Sequence, residues 1–165
     1  MKALILSLIL SLSLSSCEWI KSLGPEEPFF CKINGEKFRP QKDDSPIGGW
    51  GSKPLNVEWK KEDSLLAIGV RNNPYFVGFN IKFSSKVIEK GDYQLTSNLT
   101  KSIGFFTPDR NSGNVKYNVS STGVFRITKV ENLKIWGTFE FVCQDSISKK
   151  EYKITEGEFN NLSYF

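Results

Sequence analysis

The chain contains no histidine. That absence removes Ser-His-Asp and Cys-His catalysis and zinc sites built on imidazole. Cysteine is scarce, with three in 165 residues, and the two that fall in strand-like segments do not make a four-cysteine zinc cluster. Long apolar runs are missing beyond residue 14, whereas a membrane-spanning helix needs about 20 apolar residues. Blocks of like charge are missing too. The formal net charge is +4, and Lys60-Lys61 and Lys149-Lys150 are isolated pairs. With no basic stripe and no reader motif, nucleic acid is not an expected partner. There is no repeat of fixed period and no low-complexity segment.

What is present begins with "MKALILSLILSLSLSSC". A lysine, an apolar run from Ala3 to Leu14 and then small residues form the pattern of a secretory signal. Its end, Leu14-Ser15-Ser16-Cys17, resembles the lipobox of bacterial lipoproteins. The resemblance implies cleavage before Cys17 and lipidation of its sulfur. Each buried methylene contributes about 0.8 kcal/mol, and stable anchoring takes two membrane signals, which two or three chains on one cysteine supply. Residues 1–16 are then a signal peptide. Residues 17–28 are the lipidated cysteine and a tether rich in Pro and Glu. The expected location is the cell envelope, at the outer membrane, with the periplasmic or exterior side left open.

Residues 29–165 read as one domain. Thirteen Phe, five Tyr and four Trp suit strands. "FFCKINGEKF" is strand, Asn34-Gly35 turn, strand, the strongest short hairpin signal. "LNVEWK", "LLAIGVR", "YFVGFNIKF", "GDYQL", "VKYNV", "GVFRITKV", "LKIWGTFEFVC", "EYKIT" and "EFNNLSYF" continue as short strands between turns. "SSKVIEKGD" has room for a single helical turn. Many short strands with regular turns predict an all-β fold, an antiparallel β-sandwich or a barrel-like sheet.

With Cys17 taken as the lipid site, Cys31 and Cys143 form an even remainder. Each shares the apolar face of its strand, Cys31 with Phe29 and Ile33, and Cys143 with Ile135, Phe139 and Phe141. An oxidising envelope permits a disulfide between them, closing a loop of roughly 110 residues and worth up to about 4–5 kcal/mol. Two buried free thiols are the alternative.

The segments "INGEKF", "GDYQL" and "GTFEFVC" followed by "KITEGEF" are similar to those of small lipoprotein domains of unknown function found in Bacteroidetes. The resemblance runs over most of Phe29–Phe159. It implies a β-rich envelope domain and carries over no catalytic residue.

Candidate chemistry is sparse. Ser146-Ile147-Ser148-Lys149 matches S-x-x-K but falls in a turn and lacks the partner motifs of the acyl-enzymes. Glu58, Glu140, Glu156 and Glu158 are the carboxylates from which a glycosidase pair would have to come. Asp109–Asn114 has the oxygen-rich flavour of a calcium loop, but not its sixth-position Gly or twelfth-position Glu. No metal and no cofactor is expected. Exposed aromatics are the better lead. Trp136, flanked by Lys134, Thr138 and Glu140 on an outward face, and Trp50, in a Gly-rich loop, are candidates for stacking on a sugar or anchoring a protein. Asp63-Ser64-Leu65 and Asp145-Ser146-Ile147 resemble O-glycosylation sites of exported Bacteroidetes proteins, at Ser64 and Ser146; ordinary turn chemistry is the alternative.

The expected function is a lipid-anchored binding or accessory module of the envelope. It is not an enzyme, and its partner is a glycan or an envelope protein. The alternatives are a purely structural lipoprotein and a carboxylate glycosidase.

Overall fold

The Asn34-Gly35 hairpin forms as its residues dictate. Both have positive φ, 50° and 88°, as a two-residue turn matched to strand twist requires. It joins β1 (Phe29–Ile33) to β2 (Glu36–Phe38). The structure, a computed structural model, describes residues 27–41, 53–110 and 115–165.

The strands that follow are β3 (Leu55–Lys60), β4 (Leu65–Asn72), β5 (Tyr75–Lys82), β6 (Gly91–Leu95) and β7 (Ile103–Thr107). The last three are β8 (Asn118–Glu131), β9 (Lys134–Gln144) and β10 (Glu151–Ser163). A short 3₁₀ turn, Lys61–Asp63, joins β3 to β4. No α-helix occurs among the described residues, and "SSKVIEKGD" forms bends rather than a helical turn.

All pairings are antiparallel, in the order β2-β1-β10-β9-β8-β7-β5-β4-β3. The long strand β8 holds the two halves together. One edge pairs with β9 along its length. The other pairs first with β7, at Val119 and Asn118, and then with β6 from Gly123 to Ile127. The sheet curls until its ends meet. The Gln41 N–H donates to the Arg71 carbonyl (2.9 Å) at one end, and the Trp59 N–H donates to the Phe165 carbonyl (3.0 Å) at the other. The fold is all-β, a curled and incomplete barrel.

Alternation places the core inside the curl. Phe79 of β5 meets Phe125, Phe139 and Phe141 at centroid distances of 5.0, 4.8 and 5.6 Å. Phe125 stacks on Phe159 at 4.7 Å. The Gly-x-Phe spacings on β9 and β10 now have a cause. Gly137 faces Phe159 and Gly157 faces Phe139 in register. A Cβ at Gly137 would overlap the Arg126 carbonyl and the Phe159 ring, and one at Gly157 would overlap Phe139. Each glycine leaves the space that a phenyl from the neighbouring strand fills.

The expected Cys31–Cys143 disulfide does not form. Both are free, fully buried thiols. Both do point into the apolar interior, but β10 runs between β1 and β9. Two strand spacings are about 10 Å, and a disulfide needs Cα atoms within about 7 Å. The two are also displaced along β10, since Cys143 lies opposite Tyr152 while Cys31 falls at the bulge between Glu158 and Thr155. Burial pushes both thiols up to a pKa of about 12, so neither is a thiolate at neutral pH.

Candidate functional site

Four connections gather at one end of the curl: the Asn34-Gly35 hairpin, the β4–β5 turn with its cis Asn73-Pro74 bond, the residues after β7, and the β9–β10 turn. Between them lies a cavity of about 300 Å³. Phe38 of β2, Tyr75 at the start of β5, Phe106 of β7 and Tyr152 of β10 supply its rings. Asn34, Glu36, Lys37, Asn72 and Lys150 supply its polar groups.

The rings are fixed by one another. Tyr75 lies 6.0 Å from Phe106, and Phe106 lies 4.9 Å from Tyr152. The Lys150 ammonium sits over the Tyr152 ring at 5.2 Å. Tyr152 is held above its ordinary pKa, chiefly by burial and then by the Asp145 carboxylate, so it remains an O–H donor at neutral pH. The turn that carries Lys150 is built on Asp145. Its Oδ1 accepts from the backbone N–H groups of Ile147 (2.8 Å) and Ser148 (2.7 Å), and its own N–H donates to the Lys150 carbonyl (2.9 Å). Those backbone donors, Ser148 first, hold the Asp145 carboxyl below the usual carboxylate range.

Unsatisfied polar atoms occur next to Phe106, outside the residues that line this cavity. Asn118 faces Phe106 in register. It is 3% exposed, and both ends of its amide lack a hydrogen-bond partner. Lys116, its side chain 41% exposed, forms an ion pair with Asp145 (Nζ to Oδ1 3.6 Å), its Nζ covered and without a closer hydrogen bond.

Trp136 stands on the outer face of β9, as its position in the alternation predicts, with Lys134, Thr138 and Glu140 on the same face. It is half-buried, and Lys129, its register partner on β8, covers the ring with its ammonium at 4.5 Å. Lys134 is half-buried, paired in register with Glu131 and Ser163. Glu140 is exposed, within the electrostatic reach of Arg126. Trp50 and Cys17 lie outside the described residues, as do residues 111–114 of the calcium-like segment. Ser64 is half-buried at the end of the 3₁₀ turn with φ 49°, while Ser146 is exposed in the β9–β10 turn.

The four carboxylates considered for glycoside hydrolysis do not converge on the cavity, whose lining holds Glu36 as its carboxylate. Glu58 is within 3.9 Å of Lys60, and Glu156 pairs with Lys32 at 2.8 Å. Among the described residues no three His, Cys, Asp or Glu side chains gather as metal ligands. A second aromatic surface lies outside β4, β5 and β7. There Phe76, Phe105 and Tyr117 pack together over Gly69 and Gly78, with Arg110 over Phe76 at 5.2 Å.

No protein-family model, curated protein or solved structure matches this chain. The functional reading therefore rests on the geometry. The cavity residues were not singled out from the sequence. Tyr75, Phe106 and Tyr152 lie far apart in the chain and look like ordinary strand aromatics. Only the order in which strands pair brings their turns to one end.

Proposed function

We propose that this chain is a lipid-anchored binding module of the cell envelope, and that the cavity at the open end of the curl takes a small glycan. The observation that carries the reading is the cavity itself. Its volume of about 300 Å³ lies at the small end of the range for ligand sites. It combines three mutually braced rings with a few polar groups, and that combination suits the flat apolar face and hydroxyl rim of a sugar. A large protein partner would want a broader surface.

Support for the anchor is confined to the sequence. Leu14-Ser15-Ser16-Cys17 ends an apolar signal, and a tether with Gly and Pro follows. In this reading the lipid holds the domain at the membrane and the domain holds the glycan. The outer face around Trp136 is secondary, because Lys129 already occupies one side of that ring.

Two measurements test the two halves. Cys17→Ala should release the protein from membranes, and its retention there would contradict the anchor. A glycan array probed with the whole chain from residue 17 should give a defined set of hits. A blank array would favour a structural role.

A further inference from the structure

We propose that the end of the curl opposite the cavity lies on the lipid bilayer, with Leu133 and Phe165 entering its interface. This inference rests on the reading of Cys17 as the lipid site. It adds a second contact, made by the folded domain itself.

That end gathers the β3–β4 turn, the β5–β6 connection, the β8–β9 turn and the end of β10. The β8–β9 turn repeats the geometry of the Asn34-Gly35 hairpin. Its residues Asn132 and Leu133 both have positive φ, 50° and 59°. Glycine is favoured at the second position of such a turn, because a side chain there crowds the backbone. Here a leucine takes it, 62% exposed. Strain and apolar exposure coincide at one residue, and neither helps a domain that meets only water. The Tyr164 N–H donates to the Leu133 carbonyl (3.0 Å), so Phe165, 84% exposed, stands beside the same tip. Val87, in the β5–β6 connection, is exposed at this end as well.

Amphipathic groups follow behind the tip. Trp136 is half-buried on the outer face of β9, with Lys134 on that face and the Lys129 ammonium over its ring. Indole rings and long-stemmed ammonium groups collect at the headgroup level of a bilayer. Charges of both signs mix here, Lys61, Lys86 and Lys134 with Glu62, Asp63 and Glu131. Apolar insertion, not attraction to anionic lipid, therefore carries the contact.

The path of the chain selects this end. The Pro28 carbonyl accepts from the Asn160 N–H (3.1 Å), and the Glu27 carbonyl accepts from Asn160 Nδ2 (3.3 Å). At roughly 3.3 Å per residue along β10, Asn160 is about 13 Å from Tyr164 and about 30 Å from Glu151 at the open end. Residues 17–26 span at most about 35 Å. A lipid on Cys17 thus reaches the Leu133 end with slack, and the open end only near full extension. The cavity then faces away from the membrane.

The test uses the lipid-modified chain on vesicles of phosphatidylethanolamine and phosphatidylglycerol that contain a nitroxide quencher lipid. One cysteine is introduced at a time and labelled with an environment-sensitive dye. Leu133→Cys marks the proposed contact, and Ile147→Cys, 83% exposed, marks the open end. Cys31 and Cys143 are buried thiols with pKa raised to about 12, so the dye takes the introduced residue. Circular dichroism confirms that each labelled chain folds. Quenching should be roughly threefold or more stronger at Leu133→Cys than at Ile147→Cys, and should change little with added salt. Vesicle flotation reads the anchor separately, and failure to float would overturn the anchor and this inference together. Flotation with weak, equal quenching at both positions would leave the anchor standing and overturn the bilayer contact. Stronger quenching at Ile147→Cys would reverse the orientation and overturn it too. A blue-shifted dye at Leu133→Cys that the quencher lipid does not reach would show this end covered by protein, such as a second copy, and refute the assignment.

Discussion

The two ends of the curled sheet use the same residue types to opposite effect. At one end Trp59, Phe83 and Tyr93 close the interior. Trp59 meets Phe83 edge-on at 5.4 Å, Phe83 lies 4.7 Å from Tyr93, and the Tyr93 hydroxyl donates to the Glu89 carbonyl at 2.7 Å. The Trp59–Phe165 backbone bond ties the sheet together there. These three rings are directed at one another and at the chain around them. At the other end Tyr75, Phe106 and Tyr152 are braced equally well, yet they stop short of filling the space and leave the cavity. Beside Phe106, the buried Asn118 amide has no hydrogen-bond partner among the described residues. Aromatic packing closes one end and shapes a vacancy at the other. In the proposed reading, stability and recognition are thereby separated along the axis of the curl.

That separation can be broken by substitution. The largest effect is expected between the ends. Phe79→Ala removes the ring that meets Phe125, Phe139 and Phe141. It should cost about 3–5 kcal/mol in urea unfolding and disturb both ends together. Phe83→Ala, at the closed end, should cost about 2–3 kcal/mol, since Phe83 is only half-buried. It should also change Trp59 fluorescence and leave glycan binding unaltered. Tyr75→Ala, at the open end, removes a residue 40% exposed. Its stability cost should be within about 1 kcal/mol, with the loss appearing in binding.

The smallest effects concern acid. Asp92 accepts two bonds from Arg126, at 2.6 and 2.7 Å, and that guanidinium holds its carboxyl below the usual range. Asp145, at the open end, is lowered by backbone donors. For a depressed carboxylate the stabilisation is complete above the unfolded value of about 3.9 and is lost as pH falls through the lower folded value. Asp92→Asn should therefore flatten the loss of thermal stability below about pH 4. Asp145→Asn should do the same while also loosening the turn that carries Lys150.

The alternation of "LNVEWK" and "YFVGFNIK" and the Asn34-Gly35 turn were legible because period two and positive φ are local properties. Errors arose where locality ends. β10 is one strand, although "EYKIT" and "EFNNLSYF" read as two, because Glu156 and Asn161 take positive φ (50° and 58°) at bulges that resemble turns in sequence. β8 likewise joins the last two residues of "VKYNV", Asn118 and Val119, to "GVFRITKV". β7, "IGFFT", was not anticipated, being short and lacking a clear alternation. The faces of Cys31 and Cys143 were readable, but the strand between them was not, because it comes last in the chain. Trp136 was correctly placed outward. Its cover by Lys129 depends on cross-strand register, which no single strand records.

The central claim is that recognition belongs to the open end rather than to the outer face of β9. The most direct measurement compares glycan binding by the unaltered chain, Tyr75→Ala and Trp136→Ala under identical conditions. The account predicts that Tyr75→Ala loses most of the binding and Trp136→Ala retains it. Loss in Trp136→Ala with full binding in Tyr75→Ala would contradict it.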